Sequence, residues 1–242
     1  MSDRQPAAVL IAGAGNIGSH LAPLLARAGV GTLRLVDRDR LEVKNLQAQD
    51  YRLEDVGRFK AEVQAERLRQ QFPGLAVEAW PCDLEDLPQG VAVVDVVLGA
   101  LDSRRARQVL ASELAWPLGV PVVDGGVGDG WLGRVQVFVP GPQAACLECT
   151  WGREDYRQLA AEYPCVPGAR AAGAPTRAPA FLGCVVAGLM AAECLRLLAG
   201  GVEESYEVPF DLRQHHLRRF GLQRSKTCRF NHKVARDGAT VG

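Results

Sequence analysis

Apolar positions along the first 140 or so residues switch between two periods, and each switch marks an element. Val9 to Ala12 is an unbroken apolar run of strand length, whereas Ser19 to Ala28 repeats apolar residues at helical spacing. Leu33 to Val36 reads as a second buried strand, Lys60 to Gln70 as a helix, and Val93 to Leu98 as a further strand. A glycine-rich strand pair follows from Val120 to Val139. Strands alternating with helices predict βαβ units and a mainly parallel sheet on the N-terminal side. Beyond Val139 comes a turn-rich segment, then a long apolar helix, then Tyr206, Val208, Phe210 and Leu212 alternating as a strand. The expected organisation is one domain over residues 1–242. Its parts are a core at 7–139, a Cys/loop segment at 140–182, a helix with a β-rich region at 183–233, and a disordered tail at 234–242.

Between the first strand and the first helix lies Gly13-Ala14-Gly15-Asn16-Ile17-Gly18, a GxGxxG turn in the context of a Rossmann-like doubly wound sheet. Gly13 permits the tight turn, Gly15 lets backbone N–H groups approach a phosphate, and Gly18 lets the helix pack closely. Asp37 ends the second strand, where such folds place an acid on ribose hydroxyls. An NAD-dependent oxidoreductase accounts for everything to this point. It accounts poorly for the continuation, in which Asp39 adds a second carboxylate and Asn45 an amide. Lys60 opens the next helix and offers a point charge to phosphate oxygens. Asp102 lies just past the strand ending at Leu98, at the end of the sheet where such folds bind ligands, and is the leading Mg2+ ligand.

Cysteines supply a second cluster. Cys146 and Cys149 form a CxxC pair after Pro140-Gly141-Pro142, and Cys228 and His232 lie near the chain's end. Three thiolates and one imidazole make a tetrahedral zinc set, against the alternatives of a redox pair or unrelated thiols. A thioredoxin-like pair opens a helix, and here Thr150, Trp151, Gly152 and a charged stretch follow instead. Cys165 stands ahead of an Ala/Gly/Pro/Arg run to Ala180, either as a reactive thiol aided by Arg153, Arg157, Arg170 and Arg177 or as an inert exposed one. Cys184 and Cys194 fall in the apolar helix and read as core residues.

In their order and spacing these motifs resemble the ThiF/MoeB/HesA superfamily of ubiquitin-activating-type adenylyltransferases, over about residues 7 to 232. The shared pattern is GxGxxG, DxDxxxxxNL, GxxK, then an Asp at the fourth strand, with Arg107 five residues beyond Asp102 and Ala191-Ala192-Glu193 late in the chain. The resemblance implies an ATP site in which Gly13, Gly15, Asn16, Ile17, Gly18, Asp37 and Asp39 bind the nucleotide. Asn45 and Lys60 would attend the phosphates and Asp102 would hold Mg2+. It implies a structural zinc on Cys146, Cys149, Cys228 and His232, with His232 in place of a customary fourth cysteine. Cys165 is placed like the reactive cysteine of sulfur-transferring relatives. The implied activity is ATP-dependent adenylation of the C-terminal carboxylate of a ubiquitin-like or sulfur-carrier protein ending in Gly-Gly, with thioester or acyl-disulfide transfer through Cys165 as a second step. Peptide antibiotic precursors and a modified tRNA base are further substrate classes of similar folds. A homodimer is implied, and so is an arginine lent to the neighbouring subunit, for which Arg4 is the candidate. One position departs from the pattern: family members carry NLxRQ, and here Ala48 replaces the phosphate-binding arginine, which leaves Arg38, Lys44, Arg52 or Arg107 to compensate.

Composition narrows the setting. With 242 residues, 48% hydrophobic and 23% charged, the chain can bury one sizeable α/β core. Seven cysteines, an odd and irregular set, do not suit a secreted disulfide scaffold. A net charge of +0 implies no polyanionic partner, and the basic run Arg213 to Lys233 reads as a solvated face. Asp3 and Arg4 precede the first strand without a signal-peptide pattern, so a cytoplasmic enzyme is expected. Ala178 to Ala199 is apolar, but Glu193 and Arg196 interrupt it, which favours a buried or dimer-interface helix over a membrane span. A rival reading keeps the fold as a non-catalytic nucleotide-binding module, consistent with Ala48.

Overall fold

The structure, a computed structural model, describes residues 6–88, 90–128, 130–162, 178–230 and 232. The first half runs β1 (Ala8–Ala12), α1 (Gly18–Arg27), β2 (Thr32–Val36), α2 (Lys60–Gln71), β3 (Ala76–Trp80) and β4 (Val96–Gly99). After β4 comes α3 (Arg104–Gln108), which widens into a π-helical turn over Val109–Ala115. The antiparallel pair β5 (Val122–Val127) and β6 (Leu132–Phe138) follows, then α4 (Arg153–Glu162) and α5 (Ala180–Leu198). Strands β7 (Tyr206–Asp211), β8 (His216–Leu217) and β9 (Phe220–Gly221) close the described fold.

All strands join one sheet in the order β3-β2-β1-β4-β5-β6-β7-β8, with β9 also on β7. From β3 to β5 the pairing is parallel, and from β5 onward it is antiparallel. The chain reaches β2 and β3 on one side of β1 and then crosses to β4 on the other. This order reversal opens a crevice beyond the carboxyl ends of β1 and β4, where doubly wound sheets bind ligands.

Two apolar layers hold the sheet. On one face Leu21 and Leu25 of α1 and Ala61, Ala65 and Leu68 of α2 pack against Val9, Ile11, Leu33 and Leu35. Leu21 and Leu25 are fully buried, and each stabilises the fold by about 1.5–3 kcal/mol. Helix α5 lies on the same face beside α1 and across β4, β5 and β6, burying Leu182, Val186, Ala187, Met190 and Cys194. The opposite face joins Leu10, Ala12, Val97, Val122 and Phe138 to Val109, Leu110 and Ala115 of the π turn and to Leu147.

Three expectations change. The C-terminal strands are no separate β-rich subregion, because β7 pairs with β6 in the same sheet, Val135 opposite Val208. The zinc-cluster residues lie in loops outside its strands. Cys194 is core, but Cys184 is exposed, on the outer side of α5 with Phe181 and Leu195. Among the described residues α5 is the one helix long and apolar enough to span a membrane, yet a buried stripe ties it to the sheet.

Candidate active site

The GxGxxG turn is shaped by the protein at two glycines and left open at the third. Gly13 has φ +92°, and a Cβ there would sit 2.3 Å from the Ala100 carbonyl oxygen; one on Gly18 would sit 1.8 Å from that of Gly13. At Gly15 a Cβ would meet nothing nearer than Gln49 Nε2 at 3.8 Å. Protein packing therefore does not demand glycine at that position, whereas an approaching anion would. The turn is anchored to both neighbouring strands, since Gly13 N–H donates to Val36 and Ala100 N–H to Ala12. Ile17 turns its side chain into the core, and the Asn16 amide donates to the Ala178 carbonyl at 3.1 Å, just before α5. Any role of these two with nucleotide would run through their backbone.

Asp37 ties the turn to the following loop. Its carboxylate accepts the N–H of Ala14 at 2.6 Å and that of Asp39 at 2.8 Å. Burial raises its pKa, opposed by the Lys60 charge and the Ala14 N–H. Asp39 and Lys60 form an ion pair at 2.8 Å in which the lysine side chain is 7% exposed and the aspartate 55%. A buried ammonium paired with a carboxylate at the water boundary is a fixed positive end beside the crevice. Asn45 spends its side-chain oxygen on the Glu42 N–H, which leaves its NH2 group to face an anion. Tyr51, unremarked in the sequence, braces the phosphate turn from behind by donating to the Ala14 carbonyl at 2.8 Å. His20 Nε2 lies 3.3 Å from the carbonyl oxygen of Ala48.

Asp102 is exposed and follows β4 by three residues, immediately before Ser103, whose hydroxyl caps α3 by accepting the Ala106 N–H at 3.1 Å. Its carboxylate stands at the mouth of the crevice, as one acid shared with substrate phosphates would for Mg2+. Arg107 does not compensate for Ala48. Its guanidinium pairs with the buried Asp124 and also donates to the carbonyls of Leu101 and Gly125, which commits the whole fork to fixing the loop that carries Asp102. Asp124 ends an apolar strand much as Asp37 does, and that parallel was the available signal for it.

The second cluster assembles as expected from its residue types. Ligand atoms of Cys146, Cys149, Cys228 and His232 all lie within 4.8 Å of one another. Cys146 Sγ is 3.7 Å from Cys149 Sγ and 3.6 Å from Cys228 Sγ. His232 Nε2 is 3.5 Å from Cys146, 3.5 Å from Cys149 and 3.3 Å from Cys228. A disulfide would need about 2.05 Å between sulfurs. Zn–S bonds of about 2.3 Å in a tetrahedron place sulfurs about 3.7 Å apart and sulfur and nitrogen about 3.5 Å apart, so the edges suit zinc. Burial, then the charges of Cys149 and Cys228, push the Cys146 thiol up, and burial pulls His232 down toward neutral imidazole. Such thiols become thiolates together only around a cation. Contrary to expectation, Cys146 does open a short helix, a 3-10 turn over Leu147–Thr150. Cys165 lies outside the described residues, as do Arg4, Arg170 and Arg177.

A family model described as the ThiF family matches residues 4–232. The chain belongs to the ThiF family. Among ThiF-type relatives, a sulfur carrier protein adenylyltransferase of Thermus thermophilus is 35% identical over 201 residues, covering 80% of this chain and 70% of that protein. The ThiS adenylyltransferase of Escherichia coli is 33% identical over 226 residues, covering 91% of this chain and 84% of its own. A NEDD8-activating enzyme E1 catalytic subunit of Caenorhabditis elegans is 31% identical over 156 residues, which are 36% of that protein. The fold matches the crystal structure of E. coli MccB with ATP at a TM-score of 0.72 and 22% identity, over 93% of this chain and 66% of that one. Within this ThiF fold, sequence reading missed Glu148, buried between the two cysteines; no periodicity separates it from an exposed loop acid.

Proposed function

We propose that this chain is an ATP-dependent adenylyltransferase acting on the C-terminal carboxylate of a small ubiquitin-like or sulfur-carrier protein. The relatives named for adenylating sulfur carriers support that substrate class. One observation carries the chemistry: the Gly15 opening, the buried Lys60 ammonium and the Asp102 carboxylate converge where β1 and β4 part, and no paired nucleophile and base stands beside them among the described residues.

Adenylation needs little else. The acceptor carboxylate is ionised at neutral pH and attacks the α-phosphorus while pyrophosphate leaves, so no proton has to be removed. The protein's work is to orient the triphosphate and neutralise its charge. Backbone N–H groups of the turn and the N-terminus of α1 receive phosphate oxygens, Asp37 holds the ribose, and Lys60 and the Asn45 amide attend the phosphate chain. Asp102 would hold Mg2+, which supplies further charge neutralisation. Zinc on the cysteine cluster is structural in this reading. Cys165 is proposed as the thiol that receives the activated acyl group. The outer side of α5, with Phe181 and Leu195 exposed, is proposed to pair with a second copy. A cytoplasmic setting fits this activity.

ATP–pyrophosphate exchange in the presence of a peptide or protein ending in Gly-Gly tests the reading. Exchange should require the acceptor and fall by about 10²–10³ in Asp102→Asn. Binding of ATP without exchange would favour the non-catalytic module, and NAD binding without ATP binding would favour the oxidoreductase.

A further inference from the structure

Glu148 lies between Cys146 and Cys149, yet its carboxylate is not among the clustered ligand atoms. It is 4% exposed, and a buried carboxylate persists only where donors replace its water. Gln108 Nε2 donates to Oε1 at 3.0 Å, Ser112 Oγ lies 3.5 Å from the same oxygen, and Tyr156 OH donates to Oε2 at 2.9 Å. Those partners sit at three informative places. Gln108 is the last residue of α3, Ser112 belongs to the π turn, and Tyr156 belongs to α4. Helix α3 begins at the Ser103 cap, directly after Asp102.

The cysteine knuckle and the nucleotide mouth are thus joined by one carboxylate, gripping the helix where it changes from α to π geometry. π turns are uncommon and concentrate at functional sites, where surrounding contacts must hold them. A second strut runs parallel, as Arg104 pairs at 3.0 Å with Asp155 on α4. A cation on the four ligands fixes the spacing of Cys146 and Cys149 and with it the backbone that carries Glu148. Loss of that cation frees the knuckle from Cys228 and His232, and the grip on Gln108 loosens.

We infer that Glu148 is a positioning residue: it transmits metal loading of the cysteine cluster to the placement of the Asp102 loop. This rests on the adenylation reading of the crevice and adds to it a coupling between the two sites. Coupled sites of this kind commonly differ by 5-fold or more in affinity, about the low end of measured couplings.

The test compares the zinc-loaded parent with zinc-loaded Glu148→Gln and Gln108→Leu, neither of which alters a metal ligand. Glutamine keeps the volume but has one acceptor oxygen, so it must release Gln108 or Tyr156. ATP affinity is measured by calorimetry with and without Mg2+ and without any acceptor, alongside zinc content and amide exchange over residues 103–115. Expected are full zinc content, faster exchange over 103–115, and a loss of about 5-fold or more in ATP affinity confined to the Mg2+ condition. Unchanged Mg2+-dependent affinity in both variants overturns the coupling, and so does an equal loss with and without Mg2+, which marks general loosening. Failure of the parent itself to take up ATP would instead overturn the adenylation reading, and the inference with it.

Discussion

Replacing Arg107 by methionine removes a cation from one of the most buried polar contacts in the fold. Asp124 is 3% exposed at its side chain and Arg107 14%, and the same guanidinium serves the Leu101 and Gly125 carbonyls. Breaking a buried pair from the cation side strands a carboxylate, which costs about 3–5 kcal/mol at neutral pH, a large share of the 5–15 kcal/mol typical of a whole domain. Asp124→Asn should cost less, about 1–3 kcal/mol, because Arg107 keeps two carbonyl acceptors and some contact with water. The pH dependence separates this account from simple packing loss. Burial already raises the Asp124 pKa above 3.8, with Arg107 and then Arg134 opposing it. A carboxyl whose folded pKa is raised contributes its stability fully below the unfolded value and loses it as pH rises through the folded value. Without Arg107 that folded value climbs further, so the deficit of Arg107→Met relative to the parent should be largest at pH 7.5 and shrink toward pH 5. Urea unfolding of zinc-loaded parent and variant at both pH values reads the difference directly. An equal deficit at both, or a variant no worse than Asp124→Asn, would refute the reasoning.

Lys60→Met should lower ATP–pyrophosphate exchange by about 10²-fold while barely changing stability, because the Asp39 carboxylate it deserts is already half in water. Exchange within a factor of about two of the parent would remove Lys60 from the phosphate site. Lys60→Arg should not restore activity, since a planar fork cannot occupy a slot built for a buried point charge. Metal analysis should find one zinc per chain, lost in Cys149→Ser and Cys228→Ser but kept in His232→Cys. Loss of a structural zinc should lower Tm by about 10 °C or more, and a full-strength fold in the zinc-free serine variants would show that the cluster has another purpose.

The parts of this molecule that were legible beforehand are those written in local pattern. β1, α1, β2 and α2 were placed to within a residue or so because each is a short run of one period, bounded by glycine or a charge. The ligand cluster was legible because cysteine and histidine have few reasons to recur at such spacing. What stayed hidden depends on contacts across the fold. Arg107 looked like a spare cation, and only the neighbouring end of β5 shows that Asp124 claims it. Cys184 and Cys194 share one apolar helix, and nothing local tells which side of a helix apolar on nearly every side meets the sheet. The strand beginning at Tyr206 was legible as a strand but not as a continuation of the main sheet, since pairing partners are non-local.

The removal of Arg107 from the phosphate inventory sharpens the question raised by Ala48. The remaining substitutes also hold carboxylates: Arg38 with Asp83 at 2.6 Å, Lys44 with Glu42 at 2.9 Å, and Arg52 with Glu54 at 3.4 Å. These pairs differ from that of Arg107 in one decisive respect. They lie at the surface, with side chains 48%, 66% and 73% exposed, and exposed pairs are screened and contribute little. A triphosphate can therefore outcompete Glu42 for Lys44 or Glu54 for Arg52 at small cost, whereas drawing Arg107 away would strand Asp124 in the core. Any cation that replaces the absent arginine must come from these exchangeable pairs, and its contribution to ATP binding should weaken with added salt far more than that of buried Lys60.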